Sequence, residues 1–93
     1  MNIQNTKLNQ LRRDIDVLDS EIVVLLAKRM RLSSAIGKYK ATRGIAPLDD
    51  ARWQEVLNSR IKHGKEIGLT PNLVRQVFSV IHTHSLLIQQ KLQ

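Results

Sequence analysis

The sequence predicts an all-α chain with one long helix and two shorter ones, and three observations carry that expectation. Leu8, Leu11, Ile15, Leu18, Ile22, Leu25, Leu32 and Ile36 recur at alternating spacings of three and four, with one gap between Leu25 and Leu32. That is the a/d signature of a helix built to pack along its length. No proline occurs before Pro47, and Gly37 is the only glycine before Gly44, so nothing stops this helix until about residue 43. Past the break at Pro47 the apolar residues keep helical spacing in two further groups, and no segment reads as a strand.

Residues 1 to 5 read as a frayed tail, and the first helix is expected over about 6–43, with Asn5 or Thr6 as its cap. Its stripe gap is filled by Arg29, where another apolar residue is expected. The N-terminal half carries a mixed, solvated face of Arg12, Arg13, Asp14, Asp16, Asp19 and Glu21. The C-terminal half turns almost purely basic with Lys28, Arg29, Arg31, Lys38 and Lys40, the last two favourable with the helix dipole. Some 36 residues form a rod of roughly 50 Å. A compact domain of this size has a radius of gyration of about 13 Å, so a partner chain is the simplest cover for the rest of the stripe.

Thr42 to Pro47 is the connection, with Gly44 at C′. Asp49 or Asp50 then caps a second helix over about 50–67, whose apolar side is Trp53, Val56, Leu57 and Ile61 and which Gly64 and Gly68 loosen and end. Thr70-Pro71 pairs a cap with proline at the first helical position. The third helix, about 71–91, is expected to bury Leu73, Val74, Val77, Phe78, Ile81, Leu87 and Ile88. Residues 1–93 then form a single domain.

Composition narrows the function. Hydrophobic residues make up 42% of the chain, enough to fold. No cysteine is present, which excludes disulfides and thiolate metal sites and fits a reducing compartment. The polar start Met1-Asn2-Ile3-Gln4-Asn5 lacks the apolar core of a signal peptide, and no apolar run is long enough to cross a bilayer. The expectation is a soluble, cytoplasmic protein. The net charge of +7 suits either nucleic acid or a small anion. One Trp, one Tyr and one Phe offer little for stacking on bases, and the basic residues form no block. The small anion is preferred.

Polar residues on apolar stripes mark where chemistry is expected, because burying them costs free energy unless they are paired. The first helix offers Arg29, Ser33, Ile36 and Lys40 on one face; the third offers Phe78, Ile81, Ser85 and Gln89; the second offers Asp49, Arg52 and Trp53. Each has a plainer explanation. Arg29 can snorkel to solvent, Lys40 can serve the helix dipole, and Asp49 can be only a cap. Ser85 can bond the preceding turn, and Gln89 can be frayed surface. His82 and His84 are two apart and point to different sides of the helix, so they cannot share a metal. A Ser–His pair lacks any supporting nucleophile motif.

The combination is more telling than its parts. Leu11-Arg12, Ile15-Asp16-Val17-Leu18-Asp19, Leu25-Leu26-Ala27-Lys28-Arg29-Met30 and Ile36-Gly37-Lys38-Tyr39-Lys40, followed by Pro47-Leu48-Asp49 with Arg52 and by Ser85 with Gln89, resemble the signature of the all-helical chorismate mutases. The resemblance runs from about Leu8 to Gln89 without gaps. It implies an intertwined homodimer of three-helix chains with two equivalent sites, and an isomerase of the shikimate pathway and aromatic amino-acid biosynthesis that needs no cofactor or metal. It also implies that Arg29 and Arg12 bind the two carboxylates of chorismate, Arg12 from the other subunit. Lys40 and Gln89 would meet the ether oxygen, Ser85 would bond a carboxylate, Asp49 would position the ring hydroxyl, and Arg52 would line the site. Helix geometry agrees on one point: Arg12 and Arg29 are 17 residues apart, or about 25 Å along one rod, too far to hold one small molecule within a single chain.

In one place the sequence departs from the family. Many members carry a glutamate directly after the arginine of the second helix, and Trp53 stands there. Glu55 is turned some 200° round the helix and does not replace it. The sister activity, isochorismate pyruvate lyase, resembles this pattern in its lysine and glutamine and lacks that glutamate. A basic helical binding module for nucleic acid or an acidic protein is the alternative outside enzymes.

Overall fold

The computed structural model describes residues 3–93, and their side chains from Asn5 onward. It has three α-helices: α1 (Ile3–Thr42), α2 (Asp50–Glu66) and α3 (Pro71–Gln90). No strand occurs among the described residues. The chain divides into two compact units, one ending at Arg31 and one over Leu32–Gln93.

The first helix begins at Ile3, so the expected start at Thr6 or Lys7 is corrected. Asn5 and Thr6 lie inside α1 and do not cap it. The physical reason is the absence of a breaker: without proline or glycine, the helix runs back as far as its backbone bonds allow. Met1 and Asn2, the rest of the expected frayed tail, lie outside the described residues.

In the first unit the stripe is laid out as the spacing predicts, but it is uncovered. Exposure runs from 43% for Leu8 and 47% for Leu11 through Ile15, Leu18 and Ile22 to 62% for Leu25. A soluble monomer rarely leaves so long an apolar row in water.

The second unit packs the end of α1, α2 and α3 around a small core. Val56 and Val74 are its buried aliphatic residues, with Leu57, Ile61, Phe78 and Ile81 half-buried around them. Gly64 lets α2 and α3 approach: a Cβ there would stand 2.6 Å from Val74 Cγ2. Leu73, Val77 and Leu87, expected inside, are exposed. The apolar stripe of α3 is wider than the face its neighbours in one unit can cover: Val74 and Gln89 are buried, while Phe78, Ile81, Ser85 and Ile88 are half-buried.

The helix ends follow the sequence signals. After Thr42 the chain turns at Gly44 (φ 64°), and the Arg43 and Ile45 amides both donate to the Lys40 carbonyl. Asp49, rather than Asp50, caps α2, accepting from the Arg52 amide at 3.0 Å. Gly68 (φ 95°) closes α2 while the Leu69 amide donates to the Gly64 carbonyl. Thr70 caps α3 ahead of Pro71. No helix among the described residues is long and apolar enough to cross a membrane.

Candidate active site

The site is organised by the close approach of α1 and α3 at Gly37. A Cβ on Gly37 would lie 2.9 Å from Leu92 Cδ1, 3.0 Å from Gln89 Cα and 3.1 Å from Gln89 Cγ, so only glycine lets the two backbones come this near. Ser33, four residues before Gly37, and Lys40, three residues after it, share its face of α1. They meet Ser85 and Gln89, one turn apart on α3.

Two polar contacts result. The hydroxyls of Ser33 and Ser85 share a hydrogen bond. Lys40 Nζ donates to the Pro47 carbonyl at 2.7 Å and to Gln89 Oε1 at 3.0 Å. Ser33 and Gln89 are buried, Lys40 and Ser85 half-buried. These bonds make the burial tolerable, and no buried side-chain nitrogen or oxygen among the described residues lacks a partner.

The contact dictates what the pair can do. An ammonium only donates, so the amide oxygen of Gln89 must face it and the two N–H donors of Nε2 must turn away. Lys40 keeps a third hydrogen beyond the two it commits. The pair can therefore offer a cationic donor and a neutral one to a single acceptor, which suits an oxygen that gains negative charge.

The other predicted residues divide. Asp49 is held as the α2 cap. The Arg52 guanidinium pairs with Glu55 at 2.5 Å, both side chains well exposed, so this ion pair contributes little to stability. Arg12 and Arg29 belong to the first unit, Arg12 exposed and Arg29 half-buried on the apolar stripe. The structure thus brings Lys40, Ser85 and Gln89 together, with Asp49 and Arg52 at the start of α2.

Sequence reasoning placed Ile36 on the polar face of α1, but Gly37 takes that place and Ile36 is exposed at 49%. A lone glycine between Ser33 and Lys40 on a long helix was the available signal. The ring of Trp53 stacks on that of His82, with centroids 4.0 Å apart and planes 11° from parallel. No spacing rule signals a pair on two different helices.

Taken together, these features define a class: an all-helical chain carrying a partly buried lysine–glutamine pair. Known proteins make the class more specific. The chorismate mutase type II family profile matches residues 11–90, and the chain belongs to that family. Among curated relatives it is 34% identical over 71 residues to the T-protein of Enterobacter agglomerans, covering 76% of this chain and 19% of that protein. It is 29% identical over 86 residues to the chorismate mutase of Methanocaldococcus jannaschii, covering 91% of this chain and 86% of that protein. It is 33% identical over 82 residues to the bifunctional chorismate mutase/prephenate dehydratase of Escherichia coli K12, covering 88% of this chain and 21% of that protein. The chain thus spans about a fifth of the length of the T-protein relatives it matches.

Proposed function

We propose that the chain is a chorismate mutase, converting chorismate to prephenate in aromatic amino-acid biosynthesis in the cytoplasm. The single observation that carries this reading is the Lys40–Gln89 contact at 3.0 Å, a donor pair in a family whose substrate breaks an ether bond. The reaction is an intramolecular [3,3] rearrangement. One C–O bond breaks and one C–C bond forms within a single molecule, so no nucleophile, general base or cofactor is called for. The protein has to hold the compact conformer in which the reacting carbons meet and stabilise the charge gathering on the ether oxygen.

Lys40 and Gln89 take the second task. Arg12 and Arg29 take the two carboxylates, for which planar guanidinium forks are suited. Ser85 adds a carboxylate hydrogen bond, Asp49 orients the ring hydroxyl, and Arg52 contributes positive field. The whole chain works as one domain of an intertwined homodimer in which Arg12 crosses to the partner's site. Two things support the dimer: the uncovered row from Leu8 to Leu25, and the about 25 Å that separates Arg12 from Arg29 along one helix.

A second reading, isochorismate pyruvate lyase, is favoured by Trp53. Its ring is committed to His82 and the neighbouring Glu55 to Arg52, so Glu55 does not take the place of the usual glutamate. Incubating the protein separately with chorismate and isochorismate, and resolving the products, decides between them. Prephenate from chorismate is expected. Pyruvate and salicylate from isochorismate, with little prephenate, would make the protein the lyase. Inertness towards both, with salt-sensitive binding to DNA, would return the basic face to a binding module.

A further inference from the structure

We propose that Trp53 and His82 are positioning residues of the substrate site, acting by holding the start of α2 in register with α3. The inference rests on reading the Lys40–Gln89 cluster as a chorismate site.

The two arms of that site are tied down differently. Lys40 and Gln89 are held by the α1–α3 contact, through their own hydrogen bond and the backbone approach at Gly37. Asp49, the cap of α2, and Arg52, in its first turn, bond to neither Lys40 nor Gln89, and the Lys40 bond to the Pro47 carbonyl reaches the chain only two residues before Asp49. Their link to α3 is Trp53, whose amide donates to the Asp49 carbonyl at 2.9 Å and whose ring lies flat on His82. His82 in turn precedes Ser85 by three residues, the spacing of one helix face. The stack therefore links the turn that carries Asp49 and Arg52 to the turn that carries Ser85. Rings with centroids 4.0 Å apart and planes 11° from parallel resist both sliding and tilting, because stacked ring contact is directional in a way that aliphatic contact is not. The next α2–α3 contact, Gly64 against Val74, lies further along α2, beyond the buried Val56.

This arrangement predicts a split in the kinetics. Loss of the stack loosens the groups that orient the substrate and leaves the donor pair for the ether oxygen in place. In steady-state turnover of chorismate by the full chain, Trp53→Ala and His82→Ala should each raise KM about tenfold, with kcat kept within about twofold. His82→Phe and Trp53→Phe, which retain a flat ring, should bring KM back to within about twofold of the parent. Circular dichroism and melting identify any variant that fails to fold, and the phenylalanine variants with His82→Ala then carry the test. An unchanged KM in folded alanine variants would overturn the proposal while the parent's turnover upholds the mutase reading. So would a fall in kcat alone, or a failure of phenylalanine to restore KM. A parent protein that neither binds nor converts chorismate would overturn both.

Discussion

Lys40→Met separates catalysis from folding, and the structure allows both effects to be sized. Methionine keeps the length and the apolar stem of the lysine and removes its three N–H donors. In the folded protein the Pro47 carbonyl and Gln89 Oε1 each lose a hydrogen bond from a charged donor. Such bonds contribute about 1.5–3 kcal/mol when intact, with the upper figure kept for groups water cannot reach. Lys40 is only half-buried, so water can reach part of the site. The added apolar contact of methionine offsets some of the loss. A net cost of about 1–2 kcal/mol follows, which for a chain of this size lowers Tm by about 4–16 °C. The loss in turnover should be far larger. Removing one preorganised donor from a developing oxyanion costs about 10²–10³ in kcat, and Lys40 brings a full charge as well. The assay is the disappearance of chorismate under saturating conditions, beside a thermal melt of the same preparation. A folded Lys40→Met protein with parental kcat would refute the role given to Lys40. A kcat loss that merely tracks the unfolded fraction would refute the separation of the two effects.

Gly37→Ala should lower both stability and kcat, because its methyl would meet Gln89 Cα at 3.0 Å and Leu92 Cδ1 at 2.9 Å. Overpacking of this kind costs about 1–3 kcal/mol, more than the up to about 1 kcal/mol that alanine gains over glycine in a helix; a melt and a kcat measurement check it. Ser85→Ala leaves the buried Ser33 hydroxyl without its partner and should cost about 1–3 kcal/mol in denaturant unfolding. The double variant with Ser33→Ala should cost less than the two single losses added, by a coupling of about 0.5–3 kcal/mol. Arg12→Ala and Arg29→Ala should each be inactive, yet a refolded equal mixture should regain about a quarter of parental activity. Half of its dimers are then mixed, each with one intact site in two. No recovery from verified mixed dimers would remove the cross-chain assignment of Arg12.

Much of this protein is legible without coordinates. Local chemistry is written in neighbouring residues, so the caps at Asp49 and Thr70, the turn at Gly44 and the stop at Gly68 follow from residue types a few positions apart. The stripe from Leu8 to Ile36 announced the long helix for the same reason. The start of that helix at Ile3 is not legible, because polar residues with ordinary helix propensity allow a tail and a helix turn alike. The polar cluster between α1 and α3 is also legible in part, since Lys40, Ser85 and Gln89 are polar residues set on helical faces that otherwise read as core.

What the sequence by itself determined, then, is the set of helices, every helix end but the start of α1, and the polar residues set on their apolar faces, all of which depend on periodicity and short-range steric rules. The tertiary structure decided which of those residues meet. Lys40 and Gln89 lie 49 residues apart, and Ser33 and Ser85 lie 52 apart; nothing local links them. They meet because Gly37 lets two helix backbones approach to a distance no side chain would tolerate. The partner of Trp53 was decided in the same way. A planar ring on α2 finds His82 on α3 only after packing has brought the two helices together and set their register.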